Sequence, residues 1–373
     1  MKNILVFFGG RSTEHDVSII TGVLTLNSID KTKFLPIPIY ITKSGEWFTG
    51  DKLKNIEFFK NFNEKGLKKV RLGVSDGFLY ELKKSKLKKL YAISGALNCM
   101  HGKNGEDGAL CGILQLNKIP LASPNAFCSM LSMDKSLSKK ILSSLDVLTV
   151  EGVTVMSKDY FAKKETVMLD IVNKLSYPVI VKPSSLGSSI GISVAKNFVE
   201  LENSLKNAFF YDNEVLCEKY LDNAIDINCA VYKIGEKILV SECEKPVTAN
   251  EILTFSDKYL GSKNGLSREF PANIKAEVSN KIKETTKFVY ESLGFSGIIR
   301  IDYLLHGDTV YLNEINSVPG SMAYYLFCDT ISSFTDLLTD LLNDSFISFI
   351  KKDTKTYEYD SKIILDKIKG VKK

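Results

Sequence analysis

The chain is poor in the residues that build soft-metal centres. It has three histidines in 373 residues, and its seven cysteines form no CxxC pair. Without a Cys/His cluster, zinc is not expected. An odd, unpatterned set of thiols predicts reduced cysteines and a cytoplasmic protein, not a disulfide framework. Long apolar runs are missing too. The run Ile4 to Phe8 in "MKNILVFFGG" is too short for a signal peptide and has no small-residue cleavage site behind it. Nothing approaches the ~18 apolar residues of a membrane span. An excess of one charge is absent from most of the chain. Net charge is +5, but the segment from Lys351 to Lys373, with eight lysines against four acids, supplies +4 of it. A near-neutral remainder argues against a nucleic-acid groove. Two nucleotide fingerprints are lacking as well. "FFGGRSTEHD" is not GxGxxG, and no GK[ST] follows the glycines further on.

What is present suits a soluble protein with large cores: 44% hydrophobic and 25% charged residues over a length that predicts two or three domains. "KNILVFFGG" reads as a strand ending at a glycine turn, and "STEHDVSIITGVLTLNSI" as a helix. "FLPIPIYIT" reads as a strand whose prolines favour an edge. Residues 51–90 are lysine-rich and read as irregular surface elaboration. "YAISGALNCMHG", "GEDGALCGILQLN" and "IPLAS" continue as strand, helix and short strand. The alternation predicts an open, largely parallel sheet. After residue 124 the character changes. Residues 125–217 read as a central α+β unit, 218–345 as a C-terminal α+β unit with "SSFTDLLTDLLNDSFISFIKK" as the closing helix, and 346–373 as a basic tail.

One stretch carries chemistry on its face. In "GIIRIDYLLHGDTVYLNEINSVPG", "HGD" is a turn signal between two strand-like runs. A hairpin centred on Asp308 sets Asp302 opposite Glu314 and Arg300 opposite Asn316, all on one face. Facing carboxylates repel unless a cation lies between them. Two carboxylates and an amide oxygen, with no His or Cys, suit Mg²⁺ or Mn²⁺. Arg300 beside them would stabilise charge developing on a reacting oxygen. On its own the hairpin could equally be a salt-bridge ladder on a wet face. "VKPSSLGSSIG" adds Lys182 at a strand end followed by a Gly/Ser loop whose N–H groups can cradle phosphates. Lysine, loop and acidic hairpin together point to phosphoryl transfer by positioning and electrostatics.

These motifs, with "GGRSTEHDVS", "HGKNGEDGALCGILQLNKIPLASPN" and "MDKSLSKKIL", resemble the D-alanine:D-alanine ligase family of ATP-grasp enzymes, in family order from about residue 3 to 345. The resemblance implies an α/β (α+β) ATP-grasp fold of three domains: a Rossmann-like parallel sheet over 1–124, then the two ATP-grasp subdomains. It implies ATP, two Mg²⁺ (or Mn²⁺) ions, D-alanine as substrate, peptidoglycan precursor synthesis and a homodimer, with no nucleic acid and no membrane. Lys135 and Lys182 would contact phosphates, and Ser184, Gly187, Ser189 and Gly191 would belong to the closing loop. Glu218, Lys219 and Leu221 would form the adenine hinge, with Asp226 at the ribose. Asp302, Glu314 and Asn316 would hold the metals. Glu14, Ser188 and Tyr259 would form a hydrogen-bonded cluster in which Glu14 anchors the first ammonium, with His101 nearby. Arg300 and the Gly320 N–H would stabilise the oxyanion. Lys258, Tyr325 and Leu326 would lie by the second substrate. Taken singly, Glu14, His101 and Lys135 are ordinary helix or turn residues.

The pattern departs in three places. Asp226 stands where the family has Glu. "GSKNGLSREF" is unusual after "SDKYL". Tyr325 stands where the family has a small hydroxyl residue. A tyrosine hydroxyl can donate the same bond but its ring fills more space. A related ligase with D-serine or a bulkier acceptor is therefore the second reading, and a non-catalytic nucleotide-binding homologue the third. Intact Lys182, Arg300, Asp302, Glu314 and Asn316 speak against the third.

Overall fold

Apolar strands set the frame. The computed structural model describes residues 1–246 and 268–354, with 356, 359, 361 and 364. β1 (Lys2–Gly9) is buried from Ile4 onward. α1 (His15–Ser28) follows and returns the chain to β2 (Phe34–Ile41), which runs parallel to β1. β3 (Trp47–Thr49), β4 (Lys68–Leu72), β5 (Phe78–Lys83) and β6 (Lys86–Ala92) then extend the sheet outward, and β7 (Gly95–Asn98) adds a parallel strand on the far side of β1. The order is β6-β5-β4-β3-β2-β1-β7.

This sheet corrects four expectations. It is parallel only across β2, β1 and β7; the outer four strands pair antiparallel. Residues 51–90 are not merely irregular, because they supply β4, β5 and most of β6, with a lysine-rich solvent face. β2 is interior, not an edge. Lys33 O and Ile41 O accept from Lys2 N and Gly10 N, so the odd-numbered residues of β2 bond to β1. Pro36 and Pro38 therefore turn their missing donors the other way, where β3 pairs only with Tyr40 and Ile41. The expected strand at "IPLAS" is reduced to one bridge, Ala96 to Leu121.

α2 (Ala109–Leu116), α3 (Ala126–Met133) and α4 (Lys135–Ser144) lead out of this unit; Asn125 and Asp134 cap α3 and α4 by accepting from Cys128 N and Leu137 N. The second sheet is antiparallel, β10-β9-β11-β8. It comprises β8 (Gly152–Met156), β9 (Val179–Pro183), β10 (Ser193–Ala195) and β11 (Glu214–Lys219), covered by α5 (Ser157–Ala162), α6 (Lys164–Leu175) and α7 (Phe198–Tyr211). The third sheet, β13-β12-β16-β17, holds β12 (Ile225–Ile234) and β13 (Lys237–Val240). A two-stranded ribbon of β14 (Lys245–Pro246) and β15 (Arg268–Glu269) stands beside it. α8 (Ala276–Ser292) covers the third sheet, and the hairpin β16 (Ile299–His306) and β17 (Thr309–Asn316) completes it.

The closing helix α9 (Ile331–Asp353) ties the ends of the chain together. Phe334, Leu338, Leu342 and Phe346 recur at helical spacing and pack into the same core as Ile4, Val6, Phe8 and Leu26. Residues 346–353 of the expected tail thus continue this helix. Each of the seven cysteines is a free thiol. Among the described residues no helix is long and apolar enough to cross a membrane.

Close approach of α1 to β1 depends on Gly22, where an added Cβ would lie 2.3 Å from Phe8 Cβ. Gly22→Ala should cost about 1–3 kcal/mol by overpacking. Urea melts should show a lower midpoint at unchanged m; an unchanged midpoint would mean that the helix can shift freely.

Candidate active site

A cavity of about 810 Å³ opens where the three sheets meet. The β16–β17 hairpin forms its floor. Arg300 pairs with Asn316 and Asp302 with Glu314, the expected pairs, although the turn is not centred on Asp308: Gly307 and Asp308 form a two-residue turn that sets His306 opposite Thr309. The register then slips by one residue, with Tyr303 opposite Leu312, so that Asn313 is an extra residue in β17. A bulge re-aims a side chain. Here Asn313 joins Glu314 and Asn316 on the cavity wall, and its Oδ1 lies 3.3 Å from Lys182 Nζ. Arg300 Nε and Nη2 grip Asp302 Oδ1 and Oδ2 at 2.6 and 2.8 Å, and Asn316 Nδ2 donates to Asp302 Oδ2 at 3.0 Å. Lys135 Nζ is 3.7 Å from Glu314 Oε2. Protein cations thus answer the facing carboxylates. Burial opposes the charge on Arg300, but Asp302 outweighs it and holds the guanidinium well above its usual pKa.

Among the described residues no three His, Cys, Asp or Glu side chains cluster as a ligand set. The donor set that does occur is two carboxylates and an amide, Asp302, Glu314 and Asn316, all lining the cavity. Such hard oxygens fit a divalent cation of the Mg²⁺ type that shares its shell with phosphate.

The second sheet contributes the roof. Lys182 on β9 and Lys139 on α4 both pair with the buried Glu218 on β11. Burial pushes Glu218 up, yet the two ammonium groups together hold it below its ordinary pKa. Lys139, in turn, is lowered by burial. Between β9 and β10 the loop turns with Ser188, Ser189 and Gly191 at positive φ. It reaches across to the first sheet, where Ser188 Oγ donates to Glu14 Oε1. A Cβ at Gly187 would lie 2.7 Å from Glu14 Oε2, so a side chain there would push the carboxylate out of this contact.

The N-terminal wall is a chain of buried polar groups. His101 Nε2 and Thr21 Oγ1 are 2.9 Å apart, and Ser321 N donates to Thr21 Oγ1 at 3.1 Å. Burial lowers the His101 pKa to about 4, so its ring is neutral at pH 7. Glu106 accepts from Gly102 N at 2.8 Å and from Val318 N at 3.0 Å. Burial and the nearby Glu14 push its pKa up to about 8. These bonds pin the loop carrying Gly320, which continues into Ser321, Met322 and Ala323, all at left-handed φ.

Most of the expected residues meet here. Glu14, His101, Lys135, Lys182, Gly187, Ser188, Ser189, Glu218, Lys219, Leu221, Asp226, Arg300, Asp302, Glu314, Asn316, Gly320 and Tyr325 all line the cavity. Three do not. Ser184 is buried at the base of the loop, its hydroxyl 3.1 Å from Asp134 Oδ1 and 3.0 Å from Ser136 Oγ. Gly191 packs against Pro183 and Tyr211. Leu326 points into the core beneath α1 and α9. Lys258 and Tyr259 lie outside the described residues. Sequence reasoning missed Glu106, Asn228, Glu244, Arg268 and Asn313, which also line the cavity, and Lys139 behind it. Glu106 sits inside the quoted motif "HGKNGEDG", and Lys139 lies one helical turn from Lys135, so both had a signal.

Comparison with known proteins agrees with this geometry. The family models described as "D-ala D-ala ligase N-terminus" and "D-ala D-ala ligase C-terminus" match residues 3–124 and 141–343. A D-alanine--D-alanine ligase of Thermosipho melanesiensis is 39% identical over 99% of both chains. The solved D-Alanine-D-Alanine ligase of Helicobacter pylori superposes with a TM-score of 0.75 at 29% identity, covering 92% of this chain and 98% of that one. The VanG D-Ala:D-Ser ligase of Enterococcus faecalis gives 0.74 at 28% identity, covering 93% and 99%.

Glu106→Gln tests the N-terminal wall. An amide presents one acceptor to two N–H donors, so kcat should fall at least ~10-fold while the ATP KM holds. Stability should also change with pH. A raised folded-state pKa means that this group's contribution is full below about 4.5 and is lost as pH rises through about 8. His101 and His15, lowered by burial, act in the opposite sense, but only up to about pH 6.5. Between pH 6.5 and 8 the ligand-free wild type should therefore lose stability relative to the variant in denaturant melts. Parallel curves would show that Glu106 keeps its ordinary pKa.

Proposed function

The chain belongs to the D-alanine–D-alanine ligase family, and from that premise we propose how its cavity divides the work. The protein is an ATP-dependent ligase that joins two D-alanines into D-alanyl-D-alanine for cell-wall synthesis; it uses ATP and a divalent metal. One observation carries the assignment of roles. The Gly187–Ser189 loop, the acidic face of the β16–β17 hairpin and the Glu14 wall all line one cavity.

In the proposed sequence the first D-alanine is held by its ammonium at Glu14, whose carboxylate is fixed by Ser188. Lys135 and Lys182 orient the ATP phosphates beneath the loop, and its γ-phosphoryl passes to the D-alanine carboxylate, releasing ADP. The amine of the second D-alanine attacks the acyl phosphate. Arg300 and the Gly320 N–H face the carbonyl oxygen and stabilise its developing charge. Collapse releases inorganic phosphate and a proton. The ions we assign to Asp302, Glu314 and Asn316 are two Mg²⁺ or Mn²⁺, which when bound offset phosphate charge. Glu218, Lys219 and Leu221 would take the adenine and Asp226 the ribose. Domain limits near 124 and 217, and a cytoplasmic setting consistent with seven free thiols, complete the reading. A homodimer would cover the apolar side chains that α2 and α3 leave in solvent, Ile113, Leu116, Phe127 and Met130.

Purified protein given ATP, Mg²⁺ and D-alanine should form D-alanyl-D-alanine, ADP and phosphate in equal amounts, read by mass. Preference for D-serine over D-alanine by tenfold in kcat/KM would overturn the acceptor assignment. Glu314→Gln keeps shape and removes charge. Phosphate release should drop at least ~10²-fold with folding intact. Near-normal turnover at saturating Mg²⁺ would reject the metal role.

A further inference from the structure

We propose that Arg268 is the receptor for the carboxylate of the acceptor amino acid. The proposal rests on the ligase reading and adds a residue that the motif set does not contain. Arg268 enters the cavity wall from the β14–β15 ribbon, beside Pro246. Its guanidinium carbon lies 5.0 Å from the Tyr325 ring centroid and 5.1 Å from that of Phe270, within cation–π range of both. Nη1 donates to Tyr325 O at 3.2 Å and lies 3.4 Å from Glu244 Oε1. Glu244 is buried, and its other oxygen accepts from Asn228 Nδ2 at 3.0 Å. Two rings, a carbonyl and a carboxylate therefore fix the plane of the fork through one nitrogen. Nε and Nη2 make no hydrogen bond among the described residues.

Among the described residues, the other cations of the cavity leave this end without a carboxylate receptor. An amino-acid acceptor brings a carboxylate close to Asp302 and Glu244, which repel it. Arg300 is assigned to the reacting carbonyl oxygen and is held there, Nε and Nη2 lying on Asp302 and Nη1 3.3 Å from the Tyr325 hydroxyl. Lys135 and Lys182 face Glu314 and Glu218 at the phosphate side. Arg268 has a planar donor edge left over, the geometry that binds a carboxylate in bidentate fashion. Tyr325 then has two tasks. Its ring supports Arg268, and its hydroxyl lies against Arg300, so the bulky side chain at a position expected to be small becomes part of the receptor.

The test compares acceptors with and without the carboxylate. Full-length wild type, Arg268→Gln and Arg268→Lys are assayed with ATP, Mg²⁺ and D-alanine, then with D-alaninamide as competing acceptor, and products are counted by mass. Arg268→Gln should raise the KM for the second D-alanine ~10–100-fold, with the KM values for ATP and the first D-alanine within about twofold. The preference for D-alanine over D-alaninamide should fall by a similar factor, and Arg268→Lys should restore part of it. If Arg268→Gln does not fold, Arg268→Lys, which keeps the charge and loses the fork, carries the same comparison. An unchanged preference, or a parallel rise in all three KM values, would overturn the assignment and leave a structural role. A wild type that makes no D-alanyl-D-alanine would sink the ligase reading as well.

Discussion

Charge cannot stay buried unanswered, and this cavity answers its own before any ligand enters. Glu218 lies between Lys139 and Lys182, Asp302 lies in the fork of Arg300, and Lys135 faces Glu314. Removing one partner from such a set leaves the other desolvated and alone, a penalty of about 3–5 kcal/mol. The arrangement is therefore more than a ligand-ready surface. It lets a site built from opposed lysines and carboxylates fold at all. A phosphate chain and divalent ions bring the same two signs of charge, so binding exchanges partners instead of creating new isolated charges.

The exchange explains why the second and third sheets face one another across the cavity. Lys182 reaches from β9 to Glu218 on β11 and to Asn313 on β17. The bulge at Asn313 makes the second contact possible. Without the extra residue, Asn313 would follow the strand alternation onto the opposite face, and the lysine would meet only its own sheet. The loop after β9 then extends the link to the first sheet through Ser188 and Glu14. The first and third units already share an apolar core through α9, Met322 and Ala323, and these polar contacts bring the second unit's loop to the same place.

Much of this was legible in the residues, and the exceptions have physical causes. The turn at Gly307–Asp308 pairs His306 with Thr309, a register that carried outward would set Asp302 opposite Asn313. The pairing of Asp302 with Glu314 and Arg300 with Asn316, expected from a hairpin centred on Asp308, is reached only through the bulge. The bulge leaves no mark in composition. The prolines of β2 argued for an edge, yet parity places both missing donors on the side β3 does not cover. The outer strands β4 to β6 are lysine-rich because their faces are largely solvated, which hid their extended character. Leu326 and Ser184 were read from motif position alone. The structure gives one to the core and the other to the base of the loop. Arg268 and Glu244 lie on elements too short to show any period. Lys258 and Tyr259 lie outside the described residues.

The least legible feature is the turn after Pro319. Ser321, Met322 and Ala323 all adopt left-handed φ, and none is glycine. Each such residue costs roughly 1–2 kcal/mol. A strained turn persists only where its surroundings over-determine it. Here Met322 and Ala323 are buried in the core that α1 and α9 share, Ser321 N is held by Thr21 on α1, and Val318 N by Glu106. The first sheet thus holds the backbone of a loop that belongs to the third, and the reward is position. Gly320 and Ser321 come to the cavity wall beside Arg300 and Tyr325. A relaxed turn would let Gly320 drift with the loop, and an N–H group displaced by an ångström no longer meets a developing oxyanion. On this reading the N-terminal domain does more than offer Glu14 to a substrate. Through Thr21 and Glu106 it holds the oxyanion loop in a conformation that the loop would not keep by itself.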